Sequence, residues 1–276
     1  MEAQKDFHRL EYRIQKMIYT GHKEDDTSCF HNFHELFYVS EGECVVFLEH
    51  RIRRLERGDF AIIPAGTIHR TDYVSKGTNT KYVLSFSDRR GKEIDAFAGE
   101  DITAQLLKPG AIRAPLQRLD YVDMLLGRMF HEYEEPVEHS NAAGRIMLCE
   151  LLLSLLRYRL HETENSGVID VNEDRMQAVA AHISDHYADD LTLDELALAF
   201  AMSPSYLSRS FKRSTGFGIK EYITNVRIQK ATAMLLDTAY SITEVAGRCG
   251  FHDSNYFGDA FRKATGLSPR AYRKLG

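Results

Sequence analysis

No stretch of this sequence offers the roughly 20 uncharged apolar residues of a membrane-spanning helix. Its first residues, MEAQKDFHRLEYRIQK, lack the apolar core of a signal peptide. Both absences lead to the expectation of a cytoplasmic protein. Proline and glycine, 6 and 18 among 276 residues, are too scarce for an extensive disordered region. Cysteine is scarce too: Cys29, Cys44, Cys149 and Cys249 stand far apart with no C-x-x-C pair. That argues against a zinc knuckle or redox centre and for buried, reduced thiols. There is no Gly-rich loop to cradle a phosphate and no residue set that suggests covalent catalysis, so neither an enzyme nor a cofactor is expected.

What is present is an ordinary soluble composition, 43% hydrophobic and 27% charged, in a chain long enough for two domains with real cores. The net charge of −5 is unevenly spread. From Leu191 to Gly276, twelve basic residues face seven acidic ones, a surplus of five, which leaves residues 1–190 at −10. Such asymmetry points to a C-terminal part that faces nucleic acid, joined to an acidic part with another task.

Within residues 1–90, HELFYVSEG, ECVVFLEHRI, GDFAIIPAG and TKYVLSFSD are short, β-branched or aromatic, and bounded by turn formers, which predicts an antiparallel sandwich or barrel. From about residue 115 the period changes. LQRLDYVDMLLGRMFHEYEE and SNAAGRIMLCELLLSLLRYRL place apolar residues three and four apart, two amphipathic helices broken at Pro136. HETENSGVIDVNED reads as a linker, and beyond it the pattern is helical. Helices are expected at Met176–Tyr187 and Leu193–Phe200, the second capped by Thr192 with Glu195 three residues on. A third begins at Ser203-Pro204.

The C-terminal part says one thing twice. Glu195-Leu196-Ala197 aligns with Glu244-Val245-Ala246, Tyr206-Leu207 with Tyr256-Phe257, Phe211-Lys212 with Phe261-Arg262, and Ser214-Thr215-Gly216 with Ala264-Thr265-Gly266. The offset moves from 49 to 50 within the turn, where one extra residue is tolerated. Each copy is a short helix, a tight turn and a second helix whose Leu207 and Phe211, or Phe257 and Phe261, share a buried face: a helix-turn-helix. The opposite face shows Ser205, Ser208, Arg209 and Lys212 in the first copy and Ser254, Asn255, Gly258, Asp259 and Arg262 in the second, mostly hydrogen-bonding or cationic groups of the kind that meet base edges and phosphates. A connecting helix of about 17 residues, KEYITNVRIQKATAMLLD, would span about 25 Å and hold the two second helices near successive major grooves.

S-x-S-Y-L-S-R-S-F-K, the Arg227–Leu236 segment and G-F-x-D-x-N-Y-F-x-x-x-F-R-K-x-x-G-x-S-P-x-x-Y-R closely resemble the DNA-binding domain of the AraC/XylS family of bacterial transcription regulators. The resemblance covers nearly all of the last hundred residues. It implies base contacts from Ser205, Ser208 and Arg209, and from Ser254, Asn255, Gly258 and Asp259. The family often carries a long polar residue where this chain has Asp259. A carboxylate repels phosphate but accepts a bond from cytosine N4, so the second copy is expected to grip DNA less tightly or with another base preference.

In the N-terminal part, Gly58, Pro64, Gly66 and His69 give G-x5-P-x-G-x2-H, and His31, Glu35 and Gly42 give H-x3-E-x6-G. Together they resemble the two motifs of the cupin barrel and the ligand-binding half of AraC-type regulators, over about residues 25–75. Metal-binding cupins take two histidines and a glutamate from the first motif and a histidine from the second. Here Cys29 stands at the first histidine position, and no Asn follows His69 at the usual distance. Three readings stay open: His31, Glu35 and His69 as ligands of a transition metal, the same groups with Phe33 and Phe37 as the wall of a site for a small metabolite such as a sugar, or a purely structural cluster.

Met147, Leu148, Leu151, Leu152, Leu155 and Leu156 form an apolar stripe wider than one helix needs for its own core, which suggests a dimer interface. The expected molecule is an α+β multidomain chain. Residues 1–112 form a cupin-like sensor barrel, 113–161 a helical dimerisation segment, 162–173 a linker and 174–276 the tandem helix-turn-helix domain. Its expected partners are double-stranded DNA, a small effector, a second copy of itself and, for an activator of the family it resembles, RNA polymerase.

Overall fold

The computed structural model describes residues 12–20, 23–24, 31–73, 77–160 and 171–274. Among these described residues the N-terminal part has nine strands: β1 (Tyr12–Thr20), β2 (Lys23–Glu24), β3 (His34–Glu41), β4 (Glu43–Leu48), β5 (Arg51–Glu56), β6 (Asp59–Ile63), β7 (His69–Tyr73), β8 (Thr78–Phe86) and β9 (Gly110–Arg113). Helices α1 (Asp88–Ala98) and α2 (Ile102–Leu106) lie between β8 and β9. They are followed by α3 (Leu119–Glu134) and α4 (Ser140–Leu160). The strands make two antiparallel sheets, ordered β1-β8-β3-β6-β9 and β2-β7-β4-β5. ECVVFLEHRI, which reads as one strand, bends at Glu49, held at φ 58°, and so supplies β4 and the start of β5.

The two-residue alternation of each strand sends side chains into different layers. On β3, Leu36 and Tyr38 join β1, β6 and β8 residues against α1–α4, while Phe37 and Val39 point to the space between the sheets. On β4, Cys44, Val46 and Leu48 fill that same space, and Val45 and Phe47 face the C-terminal helices. The order of layers is therefore helices, first sheet, inner core, second sheet, C-terminal domain. Fully buried side chains such as Tyr38, Phe37 and Phe60 each contribute about 1.5–3 kcal/mol of burial free energy.

This layering corrects the reading of the leucine stripe. Met147, Leu148, Leu151, Leu152, Leu155 and Leu156 are all buried within the chain's own sensor core, because α4 packs on α2, α3 and β9 at once. The extra apolar width serves internal packing, so it does not mark a surface for a second copy. Residues 113–161 are accordingly built into the sensor rather than standing apart from it.

The C-terminal domain contains α5 (Val171–Asp185), α6 (Leu193–Ala199), α7 (Pro204–Thr215), α8 (Ile219–Asp237), α9 (Ile242–Arg248), α10 (Ser254–Thr265) and α11 (Pro269–Arg273). The segment expected as a linker lies outside the described residues up to residue 170. Helix α5 already begins at Val171, and it ends at Asp185 rather than Tyr187. Thr192 and Glu195 form the expected capping box of α6, and Ser203 caps α7 with Pro204 in its first turn. Ser241 and Glu244 repeat the box at α9, and Asp253 caps α10. Among the described residues, no helix is long and apolar enough to cross a membrane.

Candidate functional site

Helices α7 and α10 end alike. Gly216 and Gly266 take left-handed conformations at φ 78° and 76°, which a residue without Cβ adopts freely, and each N–H closes the last turn. On the inner faces Leu207, Phe211, Phe257 and Phe261 are buried. On the outer faces Ser205, Ser208, Arg209, Lys212, Ser254, Asn255, Asp259 and Arg262 are exposed and Gly258 is half-buried, so the structure presents all nine sequence-selected residues on two recognition-type surfaces. Arg209 Nε donates to the Ser205 carbonyl at 3.2 Å, folded along its own helix with the guanidinium still in solvent. Tyr206 and Tyr256, matched by the repeat, are also exposed, which the pairing with buried Leu207 and Phe257 hid from sequence reasoning.

Helix α8 joins the two units. Its 19 residues span roughly 28 Å at 1.5 Å per residue. Part of the positive charge of this domain is structural. Arg227 donates to the carbonyls of Tyr187 and Asp189, both at 2.8 Å, and Arg273 to those of Leu235 and Tyr240. These guanidiniums satisfy helix ends and are not on the outer faces of α7 and α10.

In the sensor, the segment before β3, the start of β3 and the start of β7 bring His31, Glu35 and His69 together, with one ligand-type atom from each within 4.8 Å of the others. His31 Nε2 lies 3.6 Å from one Glu35 carboxylate oxygen, and His69 Nε2 lies 3.9 Å from the other. The two imidazoles meet edge to face at 5.0 Å between centroids. His31 Nδ1 donates to the Phe33 carbonyl at 2.8 Å and His69 Nδ1 to the Thr67 carbonyl at 3.0 Å. A carbonyl can only accept, so each Nδ1 carries the proton, and in a neutral ring the Nε2 lone pair faces the cluster. Burial, reinforced by His69, pushes the His31 pKa down to about 3, which keeps that ring neutral.

Phe33 stacks flat on His31 at 3.9 Å, as a wall of the site should. Phe37 does not belong with it. It is the next residue on that face of β3, but it is buried in the inner core with Val39, Val46, Leu55 and Ile63 and carries the Lys81 ammonium over its ring at 4.7 Å. Its size and apolarity suit that core, and the sequence did not separate a wall position from a packing position one pleat deeper. Cys29 lies outside the described residues. Cys44, Cys149 and Cys249 are buried free thiols, and burial raises Cys44 to about 12 and Cys249 to about 11, which makes both inert.

One contact between the sensor and the C-terminal helices was invisible in the sequence. Arg70, the residue after His69, points to the other side of the second sheet and donates from Nη1 to the Gly216 carbonyl at 2.7 Å, at the end of α7. Around it, Tyr222 Oη donates to the Glu49 carbonyl at 2.6 Å, Ile52 N–H donates to Gln177 at 3.1 Å, and Phe47 packs on Phe217 and Tyr222. The parity of β7 could have placed Arg70 outward, but not against a partner 146 residues later.

A small-molecule-type β sensor seated on a tandem helix-turn-helix defines a class: a transcription regulator that joins a ligand-binding half to a DNA-reading half. Residues 22–156 match the AraC-like ligand binding domain, and residues 196–275 match a helix-turn-helix domain. The chain belongs to the AraC family of transcription regulators. It is 29% identical over 252 residues to the HTH-type transcriptional activator RhaS of Escherichia coli O1:K1, covering 88% of this chain and 86% of that one. Among solved structures it is similar to an apo variant of ToxT from Vibrio cholerae strain SCE256 (11% identity, 96% and 97% of the two chains, TM-score 0.44). It is also similar to the C-terminal domain of the response regulator AraT from Geobacillus stearothermophilus (35% identity, 39% and 89%, TM-score 0.37). The relatives are regulators of transcription and not enzymes.

Proposed function

We propose that this chain is a sequence-specific activator of transcription that acts in the cytoplasm, reads DNA through the outer faces of α7 and α10, and changes its DNA binding when a small metabolite of carbohydrate type occupies the sensor. The observation that carries the reading is the duplication itself: two helices with matched caps, matched left-handed ends and exposed polar faces, tied by one continuous helix. Ser205, Ser208, Arg209 and Lys212 would serve one groove, and Ser254, Asn255, Gly258, Asp259 and Arg262 the next. The sensor's bond to Gly216 and its ring contact with Phe217 lie beyond these residues, which stay exposed or half-buried.

The carboxylate of Glu35 suits hydroxyl donors, the imidazoles of His31 and His69 suit hydroxyls of either sense, and Phe33 offers a face to a sugar ring. An effector acts only through a difference in affinity between two arrangements of the chain, and Arg70, which adjoins His69, gives it a lever on α7. Activation is carried over from RhaS and implies contact with RNA polymerase. Self-association, no longer supported by the leucine stripe, would use the exposed Met124 of α3 and Ile146 of α4.

The test is selection of a site from random DNA, then titration of the full chain on it with and without each member of a carbohydrate panel, paired with thermal shift and the His69→Ala protein as control. The reading predicts nanomolar DNA binding and one class of sugar that shifts both melting and affinity in the wild type alone. Failure to enrich any DNA sequence overturns it.

A further inference from the structure

The inward face of β5 departs from the apolar pattern of its neighbours. Directly opposed residues of paired strands share a face, so Leu55, Arg53 and Arg51, opposite Cys44, Val46 and Leu48, all turn toward the space between the sheets. Leu55 completes the inner core, but the next two inward positions are arginines. Both line a cavity of about 230 Å³ at one mouth of the sandwich, together with His50, Leu48 and, from the opposing sheet, Pro109 and Gly110. Arg54 points to the other face and pairs with Glu43 at 3.3 Å. Glu49 is the acid that lines the cavity, against two arginines, which leaves a positive site within the part of the chain, residues 1–190, that carries −10.

This mouth adjoins His31, Glu35 and His69. On the second sheet Leu48 pairs with His69 on one side and with Arg51 on the other. On the first, Glu35 pairs with Ile63, and the adjacent Ile62 pairs with Gly110. One row of inward side chains thus runs from an imidazole to a guanidinium across two strand spacings of about 4.8 Å each, a span that a single sugar with one charged end bridges.

We propose that this cavity takes the anionic group of the effector, so that the metabolite sensed is a sugar acid or sugar phosphate rather than a neutral sugar. Carboxylate and phosphate share the chemistry that matters, oxygens placed for the forked donors of Arg51 and Arg53, while the sugar hydroxyls meet Glu35 and the two imidazoles. The inference rests on the reading of the sensor as a carbohydrate site and adds the charge of its ligand. It also gives that ligand a route to the DNA-binding half. The turn that carries His50 and Arg51 is held at the Glu49 carbonyl by Tyr222 of α8 and at the Ile52 N–H by Gln177 of α5. An oxyanion drawn to Arg51 therefore acts on a turn that two helices of the C-terminal domain grip. Inward charges on an edge strand also deter pairing with other chains, a role that needs no ligand and that the variants below separate from binding.

The experiment is isothermal titration of the untagged full chain with a panel of aldoses, each beside its uronic acid and its 6-phosphate. The expected best ligand is anionic and binds at least about tenfold tighter than its neutral parent, and the acid and phosphate arms identify the oxyanion. Inorganic phosphate should compete with it. The double variant Arg51→Gln, Arg53→Gln should erase the advantage, leaving ligand and parent within about threefold of each other. If that protein fails to fold by circular dichroism, the wild-type preference, the phosphate competition and the single variant at the exposed Arg51 decide. A neutral best ligand, an anionic advantage that survives the variants, or a panel without a binder overturns the proposal. So does a double variant that loses affinity for specific and random duplexes alike with no sugar present, because the arginines would then be meeting DNA phosphates. A neutral best ligand that shifts DNA affinity refutes the anion site and leaves the regulator standing. An anionic ligand bound by a chain that enriches no DNA sequence does the reverse.

Discussion

The turn of each helix-turn-helix contains a residue in the left-handed region, Ala201 at φ 51° in the first copy and Gly250 at φ 78° in the second. Matched substitutions should therefore have unequal effects. In Gly250→Ala, a Cβ pays about 1–2 kcal/mol for the left-handed conformation. It would also lie 2.8 Å from the Ala188 carbonyl oxygen and 3.0 Å from Arg227 Nε. Both atoms are backbone or anchored, because Arg227 is tied to the Tyr187 and Asp189 carbonyls, and loosening one such charged bond adds about 1.5–3 kcal/mol. The total is about 2.5–5 kcal/mol. In Ala201→Gly, relief of the same strain, about 1 kcal/mol, is offset by about 0.5–1 kcal/mol of extra chain entropy in the unfolded state, so stability changes by less than about 0.5 kcal/mol. Calorimetry of the full chain should show the C-terminal transition lowered by roughly 10 °C or more for Gly250→Ala and by at most a few degrees either way for Ala201→Gly. Equal losses in the two variants would refute the assignment of these positions as matched turns.

Other outcomes follow from named contacts. Arg209→Ala should weaken binding to a selected DNA site about tenfold to a hundredfold, the loss of one base-reading contact, while Asp259→Ala costs far less; a titration showing equal or reversed effects would contradict the inequality of the two readers. Arg70→Ala removes the bond to the Gly216 carbonyl, so the sensor and C-terminal transitions should lie further apart in calorimetry than in the wild type, and an unchanged separation would count against this contact as the coupling point. The hydrogen bond from His34 holds the Asp88 carboxyl below its usual range, so its contribution is present above the unfolded pKa near 3.8 and fades as pH falls through the lower folded value. Accordingly, the stability gap between wild type and Asp88→Asn, read by chemical denaturation, should shrink as pH drops from 5 to 3, and a gap that widens would oppose this sign.

Repetition and alternation carried most of what the sequence disclosed. The caps at Thr192 and Ser203 were legible because a hydroxyl three residues before a free N–H is a local device, and the exposed faces of α7 and α10 followed from the spacing of Leu207, Phe211, Phe257 and Phe261. The four strong β segments were legible for the same local reason. Less visible were β1, β7 and β9, whose charged or short sequences become strands only through pairing: Tyr12–Thr20 lies in register against β8 for its full length. The helices α1 and α2 were missed, since ITAQL is short and the sequence of α1 is largely polar. The leucine stripe misled because periodicity reports that a face is buried but not by what. The cluster of His31, Glu35 and His69 was legible as a motif, whereas the Nδ1 bonds that orient it depend on backbone carbonyls that no spacing reveals.

The central claim is that one chain grips two successive major grooves. Hydroxyl-radical footprinting of the full chain on a selected DNA site tests it most directly. The account predicts, for each bound chain, two protected patches about 10–10.5 base pairs apart on one face of the duplex, with Arg209→Ala erasing one and leaving the other. A single protected patch per chain, or two patches that Arg209→Ala weakens alike, would contradict it.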